Sequence, residues 1–75
     1  MRLPVLSGKA LVRALEHAGF EVSGQRGSHV KLKKRSASRV IVTIVPMHDE
    51  LDAGTLLGIL RQAEISREEL AELLV

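Results

Sequence analysis

The sequence has no cysteine, no tryptophan and no tyrosine, and its one aromatic residue is Phe20. Without cysteine there is no disulfide framework and no thiolate metal site. With a single aromatic, base stacking contributes little to any recognition of nucleic acid. No apolar run reaches eighteen residues, so the chain offers no candidate membrane span. The start, Met1-Arg2-Leu3-Pro4-Val5-Leu6, is faintly leader-like, but Lys9 and Arg13 interrupt it before an apolar stretch forms. The expected location is the cytoplasm.

What is present is a chain that should fold. It has 75 residues, of which 45% are hydrophobic and 27% charged. That balance lies outside the disordered range, and the length suits a single domain over residues 1–75. A domain of this size hides only about 60–65% of the surface its unfolded chain exposes. Its stability is therefore modest or shared with a partner.

Charge is unevenly placed. The net charge is +2, yet residues 22–48 carry Arg26, Lys31, Lys33, Lys34, Arg35 and Arg39 with no acid. Residues 49–75 carry Asp49, Glu50, Asp52, Glu64, Glu68, Glu69 and Glu72 against Arg61 and Arg67. A basic middle suits a polyanion such as nucleic acid. Lysines on a solvated hairpin that guard a strand edge from aggregation explain the same pattern.

The hydrophobic pattern alternates between two periods. Leu11, Ala14, Leu15 and Ala18 make one stripe of a helix over 7–18, opened by Ser7 and closed by Gly19 in the left-handed conformation. Phe20 to Ser23 alternates as a strand, and residues 24–27 read as a turn. His29-Val30-Lys31-Leu32-Lys33 alternates strictly, with Val30 and Leu32 on one side and His29, Lys31 and Lys33 on the other. After a turn at Ser36-Ala37-Ser38, residues 40–45 form a third strand, closed by Pro46. Its continuous apolarity leaves its inward set open. It is either a central strand or one whose second face a partner covers.

Asp52 or Thr55 caps a helix striped by Leu56, Ile59, Leu60 and Ala63. Ser66 and Glu69 form a capping box for a short last helix carrying Leu70, Leu73 and Leu74. The fold class is α+β, in the order α-β-β-β-α plus a short C-terminal helix. The helices pack on one face of a three-stranded antiparallel sheet. The other face then presents His29, Lys31 and Lys33 to solvent.

Three histidines are available. His17 sits on the first helix, His29 follows Gly27-Ser28, and His48 lies in the loop after Pro46. No His-x-x-x-His or His-x-x-Glu spacing occurs, so no metal site is expected. RNA cleavage needs none. The 2′-OH attacks the adjacent phosphorus, a base takes its proton, an acid protonates the departing 5′-oxygen, and cations steady the phosphoryl charge. An imidazole with an ordinary pKa of about 6.5 serves as either acid or base. Lys31 and Lys33 share its face and can hold phosphate. Ser28 and His29 make a poor nucleophile–base pair, because adjacent strand residues point apart. The plainer reading of these residues is a turn followed by an exposed strand.

The collected residues resemble the HicA toxins. The resemblance rests on a helix opened by Ser7-Gly8-Lys9, then Ala18-Gly19-Phe20, then Gly27-Ser28-His29 before an alternating strand. It continues through Val45-Pro46-Met47-His48, Leu51, Gly54-Thr55-Leu56 and Ile59-Leu60-Arg61-Gln62-Ala63 to Ile65-Ser66. Gly58 and Glu64 depart from it: a charged residue is expected at the first and glycine at the second. The resemblance implies a fold similar to double-stranded RNA-binding domains and a metal-independent mRNA interferase, the toxin half of a type II toxin–antitoxin pair. It implies His29 as the catalytic residue and a HicB-type antitoxin covering the His29 face. Lys31, Lys33, Lys34, Ser28 and Gly27 are the expected RNA contacts, mRNA is the substrate, and no cofactor is expected. His48 is a candidate second proton-transfer group. Two other readings remain: a non-catalytic RNA-binding module of the same fold, and a small interaction protein that works through residues 40–45.

Overall fold

The computed structural model describes residues 3–74; Met1 and Arg2, the first residues of the leader-like start, and Val75 lie outside them. The described chain runs α1 (Gly8–His17), β1 (Glu21–Arg26), β2 (His29–Ser36), β3 (Arg39–Pro46), α2 (Ala53–Ala63) and α3 (Arg67–Leu73). The three strands form one antiparallel sheet in the order β1-β2-β3. The expected α-β-β-β-α order with a C-terminal helix is present.

Each helix starts on a side chain that satisfies backbone donors left without intrahelical partners. The Ser7 hydroxyl accepts from the Ala10 N–H at 3.0 Å. The Asp52 carboxylate accepts from the Thr55 N–H at 2.7 Å and the Thr55 hydroxyl at 3.1 Å. Ser66 and Glu69 exchange a complete capping box. Gly19 ends the first helical segment with φ +100°, a region where a β-carbon would be strained.

The core lies between the helices and one face of the sheet. Leu11 and Leu15 of α1, Leu32 and Val45 of the sheet, Leu56 of α2 and Leu70 of α3 are fully buried. Phe20 is buried with them. The last helix packs on α1, with Leu70 in the core.

The strands are longer than their alternation suggests. Gly24, Gln25 and Arg26 belong to β1 and not to a turn, because they pair with Lys31, Val30 and His29. A bulge between Val22 and Gly24 shifts the register there, which hides the strand from a period-two pattern. The hairpin turn is only Gly27-Ser28. Positive φ at Gly27, +58°, and not at Ser28 is the arrangement of a two-residue hairpin with glycine first. The third strand is an edge and not a central strand. Its register settles its inward set: Ile41, Thr43 and Val45 face Lys34, Leu32 and Val30 across the ladder and are buried.

Gly8 fixes how closely the helix layer meets the end of the sheet. A β-carbon there would overlap the Pro46 carbonyl oxygen and lie 2.9 Å from Met47 Cα. The Gly8 N–H donates to the His48 carbonyl at 2.9 Å, and the Met47 N–H donates to the Ser28 carbonyl at 2.6 Å. The start of α1, the loop after β3 and the β1–β2 turn are thus tied together.

Candidate functional site

The helices leave one face of the sheet open. Strand β2 turns His29, Lys31, Lys33 and Arg35 outward, and all are exposed. Side chains two apart on a strand share a face, so they form one basic column. The cross-strand pairing extends it into rows. Arg26, His29 and Pro46 form the first row, Gly24, Lys31 and Ile44 the second, and Glu21, Lys33 and Val42 the third. The acid in these rows, Glu21, is two rows away from His29.

His29 stands at the end of the column, held by backbone on both sides. Its strand pairs with Arg26 and Pro46. The turn before it is braced by the Gln25 amide donating to the Gly27 carbonyl at 3.2 Å. The imidazole has no hydrogen-bond partner among the described residues. It is free to meet a ligand.

Of the expected site residues, Gly27, Ser28, His29, Lys31 and Lys33 lie together on this face or its turn. Lys34 does not. It pairs with the buried Ile41 on the helix side, and its ammonium lies 5.7 Å from the centre of the Phe20 ring, a cation–π contact. The run Lys33-Lys34-Arg35 reads as one patch, but the strand period divides it. Arg35 joins the column in place of Lys34. Arg26 joins it too, as the cross-strand neighbour of His29.

The other histidines stand apart. His17 is exposed in the last turn of α1, within the helix layer. His48 is exposed and within electrostatic reach of the Asp52 carboxylate. The Thr55 N–H, then the Thr55 hydroxyl, hold that carboxyl below its ordinary pKa, and His48 adds a smaller effect in the same direction. No hydrogen bond joins His48 to His29 among the described residues. No group of three His, Asp or Glu side chains placed to hold a metal ion occurs among them either.

Beside the basic column runs an apolar one. Val40, Val42 and Ile44 of β3 point outward and remain 51%, 39% and 48% exposed. Scattered exposed aliphatics are ordinary. Three consecutive outward positions on an edge strand, next to a line of cations, make a continuous two-toned surface suited to a partner.

Residues 8–65 match the family model described as the HicA toxin of bacterial toxin–antitoxin. The chain belongs to the HicA toxin family. Among curated proteins, no relative matches it closely enough to count. The match spans α1 to the end of α2 and leaves α3 outside. It encloses every residue of the open face. A HicA-family chain is the toxin of a pair, so an antitoxin partner follows from membership. Glu64, where the family resemblance calls for glycine, has φ +59°, the conformation glycine adopts most readily. Its carboxylate pairs with Arg39 at the start of β3. That hydrogen bond, followed by the charge attraction of Arg39, holds the Glu64 carboxyl below its usual range.

Proposed function

We propose that this HicA-family chain is an mRNA endoribonuclease that works without a metal and uses His29 for proton transfer. The observation that supports it most is the isolation of one imidazole at the end of a column of cations on an open sheet face. A scissile phosphate laid along β2 meets Lys31, Lys33 and Arg35 as electrostatic contacts. Its 2′-OH or 5′-oxygen comes within reach of His29. The 2′-oxygen forms a bond to phosphorus as the 5′-oxygen leaves, giving a cyclic phosphate and a free 5′-hydroxyl. His29 takes the proton from the first or supplies it to the second. Arg26, directly across the ladder, adds a fixed charge that stabilises the phosphoryl oxygens.

The antitoxin in this reading is HicB-type and covers the His29 face. Its footing is the apolar column of Val40, Val42 and Ile44, which lies against the catalytic column. A partner seated there excludes RNA from β2. Antitoxin-bound toxin and free toxin then differ in whether one sheet face is open.

The test compares wild type with His29→Ala on a mixed-sequence RNA in EDTA, with circular dichroism to check folding. Cleavage by wild type and binding without cleavage by folded His29→Ala is the expected result. Loss of all cleavage on chelation would remove the metal-free mechanism. Binding without scission by both chains would leave an RNA-binding module.

A further inference from the structure

Gly24 is a glycine whose backbone does not ask for one. Gly19 and Gly27 have positive φ, and Gly8 lies against Pro46 and Met47. Gly24 has neither reason. Its φ is outside the left-handed region, and a β-carbon built on it meets nothing within 4 Å. The bulge beside it does not supply one, since bulges that require glycine place it in the left-handed region. A glycine inside a strand weakens the strand, and it otherwise marks a place where a ligand or another backbone comes close.

The missing side chain falls on the functional face. Gly24 pairs with Lys31, and Lys31 pairs with the outward-facing Ile44. The result is an open hollow of 550 Å³ lined by Gly24, Gln25, Arg26, His29, Lys31 and Ile44. Small-molecule sites commonly measure about 300–1,000 Å³. Its lining joins an aliphatic side chain, Ile44, and a position without one, Gly24, to Arg26, Lys31 and His29, with no acid among the lining residues. A bare anion would have no use for Ile44 or for the space over Gly24. A purely apolar ligand would not suit two cations and an imidazole. A flat ring joined to a phosphate suits both parts. Its faces would lie against Ile44 and the planar guanidinium, and its phosphate would meet the charged groups.

We propose that this hollow receives the nucleobase next to the phosphate held at His29. The proposal rests on the RNA reading above and adds the position of the base. Arg26 and Ile44 would meet the faces of the ring and not its hydrogen-bonding edges. The site therefore tolerates base identity, and it replaces the aromatic platform that the chain lacks, since Phe20 is buried.

The test uses Gly24→Val, with Gly58→Ala as the control. Gly58 also meets nothing within 4 Å, but it lies in α2. Both variants should melt at or above the wild-type temperature, because valine suits a strand and alanine suits a helix. The full chain is titrated by NMR with nucleoside 3′-monophosphates and, separately, with inorganic phosphate. Wild type and Gly58→Ala are expected to bind the nucleotides about tenfold more tightly than phosphate, with shifts at the Gly24, Lys31 and Ile44 amides. Gly24→Val is expected to lose that advantage and keep its phosphate affinity. Survival of the advantage in folded Gly24→Val, or its absence in wild type, overturns the proposal. Cleavage of RNA by wild type is scored in parallel. Cleavage without a nucleotide advantage rejects the hollow and keeps the nuclease. An advantage that Gly24→Val abolishes, in a chain that cleaves nothing, keeps the hollow and rejects the nuclease.

Discussion

On the helix-covered face of the sheet Val30, Leu32, Ile41, Thr43 and Val45 are buried, and on the opposite face His29, Lys31, Lys33, Arg35, Val40, Val42 and Ile44 are exposed. Alternate residues of the same two strands make both sets. The buried residues of the covered face are apolar except for Thr43, whose hydroxyl donates to the Gln62 side-chain oxygen at 2.9 Å, so burial there leaves no polar group unpaired. The open face has cations on one strand and aliphatics on the next. The first set holds the fold together. The second lies outside the core and stays open to solvent. A small toxin that must be both active and neutralisable can put both tasks on one surface, provided the other surface alone carries the stability.

Substitutions that treat the two faces alike would break this contrast. The largest expected effect is Leu32→Ala on the covered face, which should cost about 2–5 kcal/mol in urea unfolding. Its neighbour on the open face, Lys33→Ala, should stay within about 0.5 kcal/mol and instead weaken RNA binding and flatten its salt dependence. Equal losses of stability at the two positions would contradict the division. Next comes Gly8→Ala, expected to cost about 1–3 kcal/mol, because the helix layer cannot move off the Pro46 carbonyl without rupturing the ties at Gly8 and Met47. Thermal melts would show it.

Ala37 sharpens the contrast from neither face. It holds φ +51° in the β2–β3 turn, where a β-carbon is disfavoured. Ala37→Gly should raise stability by about 1 kcal/mol and leave RNA binding unchanged. A change in binding would mean that the turn belongs to the functional surface. The smallest effect concerns acid. Thr55 holds the folded Asp52 pKa below its unfolded value. Its contribution is therefore present above the unfolded pKa of about 3.9 and is lost as pH falls through the folded value. Glu64, lowered chiefly by its hydrogen bond from Arg39, acts with the same sign. Asp52→Asn keeps a capping oxygen and removes one titrating group, so its acid-unfolding curve should be shallower than that of wild type.

Much of the fold was legible because its signals are local. The stripes of α1 and α2, the Ser66–Glu69 box and the alternation from His29 to Lys33 each lie within a few residues of one another. What was not legible depended on pairing. Residues 40–45 are apolar throughout, so only the register with β2 divides Ile41, Thr43 and Val45 from Val40, Val42 and Ile44. The bulge after Val22 breaks the phase of β1, so Arg26 could be counted as a base but not placed beside His29. Lys34 follows Lys33 directly in the chain, but the pleat puts the two on opposite faces. Gly8 belonged to a recognisable opening of the helix, but its reason is a backbone from the far end of the sheet. At the site, the histidine and its two lysines were legible from period alone. The arginines and the aliphatic column were not.

The most direct test of the division is a footprint of bound RNA. A short RNA made uncleavable by 2′-deoxy substitution is titrated onto isotope-labelled protein, and amide shifts are mapped by NMR. Shifts should concentrate at His29 to Arg35 of β2 and at Val42 and Ile44 of β3, leaving α2 and α3 unmoved. Shifts concentrated on α2 and α3, with β2 unaffected, would contradict the assignment of function to the open face.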